Sequence, residues 1–306
     1  MDAVLTADTW ARESGVLETA PAKINLALHV TGQRPDGYHM LDSLVVFAAE
    51  GDRLHVSPSD TDRLDLAGPF AAALPAARDN IVLRALDCAR AVMAARGHTL
   101  DPLRIELDKR LPLAAGIGGG SADAAALLRV LLRRAPALGE TLRADALRLG
   151  ADVPMCLDGI AARVCGIGEV ADPLAALPRL SMLLVNPGTP VSTPAVFTAL
   201  ARRDNPPLPP VPEFGFPSLN TLVDWLGETR NDLEAPALSL APAIGEALIL
   251  VREAGARFAR MSGSGATVFA LFEDDVACHA AARHVAVCQP NWWVLPTHVA
   301  ATGVSP

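Results

Sequence analysis

A lysine, an aspartate and a run of glycines are the residues of this chain best suited to chemistry. Lys23 sits in Pro21-Ala22-Lys23-Ile24-Asn25 and Asp152 in Gly150-Ala151-Asp152-Val153-Pro154, while Gly116, Gly118, Gly119 and Gly120 crowd into a stretch ending at Ser121. Phosphoryl transfer needs such a set: cations for the phosphates, a base for the proton of the attacking hydroxyl, and backbone amides that approach an anion closely. Each group also has a plainer reading. Asp152 suits a solvated turn or a cap, Lys23 an edge-strand charge, and the glycines a flexible turn with Ser121 as N-cap.

Composition sharpens the choice. Of 26 cationic side chains only Lys23 and Lys109 are lysine, and Tyr38 is the one tyrosine. A compact ammonium and a planar guanidinium are not interchangeable, so lysines kept in an arginine background mark places where shape matters. Tyr38 and His39 follow an Asp36-Gly37 turn. An exposed ring beside an imidazole suits stacking on a base or sugar and reading its edge, or simply anchors a loop.

The elements that must position these groups are legible in outline. Residues 21–30 and 42–57 read as strands, joined by a turn-rich segment. Helical spacing covers 79–96, 103–107 reads as a strand, and the glycine loop runs into a helix from Ser121 to Arg134, whose last-turn arginines suit the helix dipole. A short helix at 140–149 leads to Asp152, and Pro154 is expected to close any helix there, pinning the carboxylate in a turn. A strand with turns follows at 160–170. After a boundary near 175–180 come a strand at 180–185, a loop at 205–217 with six prolines, helices around 218–227 and 241–255, a second glycine-rich turn at 261–266, a strand through Phe272, a helix at 274–286 and a last strand near 292–299. Mixed strands and helices in both halves predict two α+β domains.

Bulk properties exclude some classes. The 306 residues are 51% hydrophobic and carry a net charge of −8, enough apolar residues for real cores and the wrong sign for a general nucleic-acid or membrane-surface binder. The N-terminal segment lacks a signal-peptide pattern. Residues 180–201 are uncharged but hold Pro187, Pro190 and Pro194, a poor membrane span. The cysteines at 88, 156, 165, 278 and 288 lack a Cys-x-x-Cys pair and read as reduced thiols in the cytoplasm. Cys278, His279, His284 and Cys288 fit no usual zinc spacing.

The glycine loop is not a Walker loop, since no Gly-Lys-Ser/Thr ends it, and it lacks the acidic ribose partner of a dinucleotide fingerprint. With PAKINL (21–26) and MSGSGATVFALF (261–272), the segment LPLAAGIGGGSADAA (111–125) resembles the three motifs of the GHMP kinase superfamily. Further segments narrow the resemblance: TGQRPDGYHML (31–41), RDNIVLRA (78–85), DKRLP (108–112), LGADVPMCLDG (149–159), STPAVF (192–197) and NDLE (231–234). They are similar to those of superfamily members that phosphorylate a cytidine-diphosphate-linked methylerythritol on the non-mevalonate route to isoprenoids.

The resemblance implies an α+β, two-domain architecture with a ribosomal protein S5 domain 2-like N-terminal domain over 1–177 and a ferredoxin-like, substrate-binding C-terminal domain over 178–306, residues 1–20 being an unassigned extension. The site is expected in the cleft between the domains. Asp152 would take the proton from the 2-hydroxyl, and Lys23 would keep Asp152 ionised. Asn25 would position the substrate, Tyr38 and Phe197 would sandwich the cytosine, and His39 would read its edge, with Thr193 in the same segment. Gly116, Gly118, Gly119, Gly120 and Ser121 would wrap the ATP phosphates. Asn80 and Lys109 would contact the adenine side, and Pro112 belongs to the same nucleotide set. Gly263, Ser264 and Gly265 would support the phosphate loop and the substrate end. ATP is the implied donor, with Mg²⁺ expected and Ser121 or Asp123 as candidate ligands; the partner is the small-molecule substrate, with no nucleic acid or membrane. Ala114-Ala115 departs from a more glycine-rich loop start, an expected stiffening, and Ala122-Asp123 replaces a second hydroxyl after Ser121. The rival readings are a mevalonate- or homoserine-type kinase of the same superfamily, a dinucleotide-dependent oxidoreductase, and a non-catalytic nucleotide binder.

Overall fold

A computed structural model describes residues 15–74 and 79–303; most of the N-terminal extension lies outside them. In chain order the strands are β1 (Val16–Gln33), β2 (His39–Pro58), β3 (Arg63–Ala67), β4 (Leu103–Asp108), β5 (Ala162–Gly166), β6 (Val170–Pro173), β7 (Leu180–Asn186), β8 (Phe258–Met261), β9 (Val268–Phe272) and β10 (Trp293–Val299). The α-helices are α1 (Ile81–Ala94), α2 (Gly119–Arg134), α3 (Gly139–Ala146), α4 (Val153–Asp158), α5 (Thr193–Thr198), α6 (Leu219–Gly227), α7 (Glu234–Leu240), α8 (Ala243–Glu253) and α9 (Asp275–Cys288).

The chain forms two units. One holds the described residues of Met1–Ala22, Glu50–Leu113 and Gly118–Asp158. Here β2 pairs antiparallel with β4 from Arg53↔Asp108 to Pro58↔Leu103, and β3 runs parallel to β4. In β4, Leu103, Ile105 and Leu107 are buried while Arg104, Glu106 and Asp108 alternate with them on a half-open face. That period of two is what one covered sheet face dictates. Val82, Ala85, Leu86, Ala89 and Met93 of α1 are buried at helical spacing, as are Ala122 and Ala124 to Leu128 of α2. Small alanines on α2 permit close helix approach, and each fully buried leucine contributes about 1.5–3 kcal/mol.

The other unit holds Lys23–Ala49, Ala114–Ile117 and the described residues of Gly159–Pro306. Residues Leu41 to Val45 of β2 pair with β5, which pairs with β6, all antiparallel. A separate antiparallel sheet has the order β10-β7-β9-β8. Strand, helices, hairpin, helix and strand in that spatial order are a ferredoxin-like split βαβ arrangement. β7 and β9 are buried along their whole length, and their core includes Leu183, Val185, Ile244, Val251, Val268 and Val285. Among the described residues no single helix is long and apolar enough to cross a membrane; α7 and α8 pass that test only as a pair bent by 116°.

Sequence periodicity missed six of the strands and α-helices among the described residues: β3, β6, β8, α4, α5 and α7. Two of them share a cause. Pro154 does not close a helix but sits in the first turn of α4, and Pro194 likewise stands at the start of α5. Proline is tolerated there because the amide it lacks has no acceptor within the helix.

Candidate active site

In the unit that carries β1 from Lys23 onward, a polar cluster forms around Asn25. Lys23 is buried, 6% exposed, between Ala22 and Ile24, and its amide donates to Ile117 O at 2.9 Å. It is therefore not an edge-strand surface charge. The Asn25 amide donates to Ser262 Oγ (3.1 Å), and Ser262 Oγ donates to Gly116 O (3.0 Å). Asn25 Nδ2 donates to Ser43 Oγ at 2.7 Å, whose own proton goes to Ala27 O. The amide orientation is thus fixed, and Oδ1 is left buried without a partner. An unmade bond of this kind costs about 1–3 kcal/mol, so a donor from outside is favoured there.

Gly116 and Gly263 explain the close approach of the two glycine turns. A Cβ on Gly116 (φ 73°) would meet Ser262 O at 2.4 Å, and one on Gly263 (φ 54°) would meet Gly116 O at 2.6 Å and Asn25 Oδ1 at 3.3 Å. Gly265 donates its amide to Ser262 O (3.0 Å), and Asn231 Nδ2 ties down Met261 O and Gly263 O at 2.9 and 2.8 Å. Ser264 Oγ lies 2.7 Å from Thr193 Oγ1. Sequence reasoning assigned no site role to Ser43, Ser262 or Asn231, although the last two fall within the MSGSGATVFALF and NDLE segments; their hydrogen-bond partners are distant in sequence.

Two of the three rings in the aromatic segment meet each other. Phe197 stacks on His39, ring centroids 4.4 Å apart and planes 21° from parallel, while Tyr38 stands 58% exposed beyond the Asp36-Gly37 turn. His39 Nε2 is buried with no partner. Burial first, then the charge of Arg203, push the His39 pKa below its ordinary value, so the ring is neutral at pH 7.

In the other unit, Gly118 caps α2 with φ 65° and offers no side chain to the first turn, leaving the amides of Gly119, Gly120 and Ser121 at the positive end of a 16-residue helix. Gly120 is exposed and Pro112 buried. Asn80 is buried and caps α1, its Oδ1 accepting from Val82 N at 2.9 Å. Lys109 is 1% exposed and its Nζ lies 2.5 Å from both Asp52 Oδ2 and Asp123 Oδ2. Burial pulls its pKa down, but Asp123 and Asp52 more than offset this and leave it above the lysine norm. Asp123 moves well above the carboxylate range through burial, Lys109 opposing. Asp123 Oδ2 is engaged by Lys109 while its Oδ1 is buried without a partner, and no group of three or more metal-ligating side chains occurs among the described residues. A carboxylate–phosphate site completed by nucleotide oxygens is the arrangement Mg²⁺ usually takes.

Asp152 precedes α4 at its N-cap position, its carbonyl accepting from Cys156 N at 3.0 Å. Arg129 Nη1 donates to Cys156 O (2.6 Å), Arg143 pairs with Asp158, and a Cβ on Gly150 would lie 3.8 Å from Ser121 Oγ. The turn carrying Asp152 therefore packs beside the start of α2.

Two family patterns fall on this framework. "GHMP kinases N terminal domain" matches residues 80–161 and "GHMP kinases C terminal" matches 214–286. A protein of Paracoccus denitrificans named 4-diphosphocytidyl-2-C-methyl-D-erythritol kinase is 52% identical over 290 residues, 94% of this chain and 97% of that one. The chain belongs to the GHMP kinase family. It is accordingly an ATP-dependent phosphotransferase acting on a small-molecule alcohol. A kinase of the same name from Brucella melitensis is 50% identical over 92% of this chain and 95% of its own. A crystal structure of 4-(cytidine 5'-diphospho)-2C-methyl-D-erythritol kinase superposes with a TM-score of 0.75 at 34% identity, covering 93% of this chain and all of that one. The α+β architecture expected from the motifs is the one observed.

Proposed function

We propose that this GHMP kinase transfers the terminal phosphoryl group of ATP to the 2-hydroxyl of 4-diphosphocytidyl-2-C-methyl-D-erythritol, giving the 2-phosphate and ADP, for isoprenoid precursors in the cytoplasm. The observation that carries this reading is the identity of about half of all residues, over more than nine-tenths of both chains, with kinases of that name. The local chemistry supports it. Asn25 Oδ1 is a buried acceptor suited to a substrate hydroxyl, and His39 Nε2 is a buried ring nitrogen without a partner, suited to the polar edge of a base. Neutral His39 can also donate through its other ring nitrogen.

In the reaction, Asp152 accepts the proton of the 2-hydroxyl as its oxygen bonds to the γ-phosphorus. The bond from that phosphorus to the β-bridging oxygen breaks, and ADP leaves. Lys23 supplies positive charge, and the amides of Gly118 to Ser121 take phosphate oxygens. Tyr38 and Phe197 hold the cytosine, and Thr193, Gly263, Ser264 and Gly265 line the substrate end. Asn80, Lys109, Pro112 and Gly116 belong to the nucleotide side, and Mg²⁺, when bound with ATP, would supply positive charge to offset that of the phosphates. The family-domain boundary at 177/178 lies between the matched segments, which end at 161 and resume at 214.

ADP release is measured with ATP and the cytidine-diphosphate-linked alcohol, with mevalonate and homoserine as controls. Turnover only with the first is expected; turnover only with a control overturns the assignment. In Asp152→Asn, kcat should fall by a factor of about 10²–10⁴ with the fold intact.

A further inference from the structure

Lys109 is one of only two lysines, yet its ammonium faces inward. We propose that Lys109, Asp52 and Asp123 form a buried ionic brace that positions the first turn of α2 for the phosphates of ATP, with Lys109 acting through the loop rather than by touching the nucleotide. This rests on the reading that the start of α2 takes those phosphates.

The brace closes both ends of the glycine-rich segment on one nitrogen. Asp52, on β2 and fully buried, accepts from Arg110 N at 2.6 Å and Leu111 N at 2.8 Å through Oδ1, and from Lys109 Nζ through Oδ2. The same Nζ reaches Asp123 in the second turn of α2. Residues 109–111 and 119–123 are therefore held in fixed register. The backbone of Lys109 is engaged too: its amide donates to Ala67 O at 2.7 Å, and its carbonyl accepts from Phe70 N at 3.2 Å. Neither end of the residue is turned toward a ligand.

The geometry suits lysine specifically. A Cβ on Gly119 would come 3.2 Å from Nζ and 3.7 Å from Asp52 Oδ2, so the first residue of α2 packs directly on the ammonium. A guanidinium, broader and planar, has no room there. This also gives Gly119 a reason beyond loop freedom. Buried ion pairs are seldom retained for stability, since apolar replacements of equal volume are often neutral or better. What the buried triad supplies here is register: amides aimed at an anion act only if they are already in place.

ADP is titrated calorimetrically, in the absence of any alcohol, into the wild type, Asp123→Asn and Asp123→Ala, with thermal midpoints recorded. Asp123→Asn keeps the shape and one acceptor for Nζ and should bind within about threefold of wild type; Asp123→Ala should bind at least about tenfold more weakly. Its KM for the alcohol should stay unchanged while its KM for ATP rises. Should Asp123→Ala not fold, Asp123→Ser is read the same way. Wild-type ADP affinity in a folded alanine or serine variant, with only the thermal midpoint lowered, overturns the brace. A wild type that binds no ADP overturns the phosphate reading itself, and the brace with it.

Discussion

Phe197 lies against His39, centroids 4.4 Å apart and planes 21° from parallel. The imidazole is held in a stack with Nε2 buried and partnerless, while Tyr38 is exposed, as the proposed stacking on a base requires. Stacking of a base on an aromatic ring contributes about 1–3 kcal/mol by alanine substitution. Tyr38→Ala and Phe197→Leu should therefore each raise KM for the cytidine-linked substrate by about tenfold or more, with KM for ATP unmoved. Steady-state kinetics decide it, and an unchanged KM in both variants removes the aromatic role.

Lys23 is buried on β1, and its amide is tied to Ile117 O. Space for a compact ammonium is not space for a guanidinium. Lys23→Arg, although conservative in charge, should lose activity by about 10²-fold or more, as expected where a misplacement of order 1 Å disturbs the reacting groups. Single-turnover rates with saturating ATP test this; full activity in the variant shows that the lysine was not chosen for shape.

Ala114 adopts φ 47°, in the left-handed region. An L-residue with a Cβ is strained there by roughly 1–2 kcal/mol, and glycine escapes this at a cost of about 0.5–1 kcal/mol in unfolded-state freedom. Ala114→Gly should raise the thermal midpoint by about 1–4 °C. Scanning calorimetry measures it, and a lowered midpoint contradicts the strain. At Ala114 the alanine pair carries a forced backbone conformation that a glycine there would avoid.

His29 is buried between two segments: Arg230 N donates to its Nε2 (3.2 Å), which makes Nδ1 the proton-bearing nitrogen that donates to Pro206 O (2.9 Å). Burial lowers its pKa, the Pro206 carbonyl opposing. A histidine whose folded pKa lies below its unfolded value of 6.5 contributes stability that is full above that value and fades as pH falls through the folded one. The stability difference between wild type and His29→Gln should therefore shrink on acidification from about pH 7.5 to 5. Denaturant midpoints at several pH values give the difference; one independent of pH rules out a neutral, bridging His29.

The alternation Leu103-Arg104-Ile105-Glu106-Leu107 could be read as a strand because one sheet face is buried and the other is not. The α2 segment was legible from its alanines and leucines, its glycine start and its terminal arginines. β3 and β8 were not: β3 has no buried residue to mark a covered face, β8 spans only four residues, and both are strands through pairing, β3 with β4 and β8 with β9. Pro154 misled because its effect depends on where the helix begins, which local sequence leaves open.

The same division runs through the site. Residue types and their order in the sequence determined the family, the glycine loop and the identity of Asp152, Lys23 and Asn25 as candidates, because chemistry is carried by side-chain type and short spacing. Tertiary structure alone decided that Lys109 turns inward to Asp52, 57 residues away, that Asn25 Oδ1 is left partnerless by Ser43 and Ser262, and that Phe197 meets His39. Those are matters of which atoms come within about 3–4 Å. That is fixed by packing between segments far apart in the chain, not by any pattern within one of them.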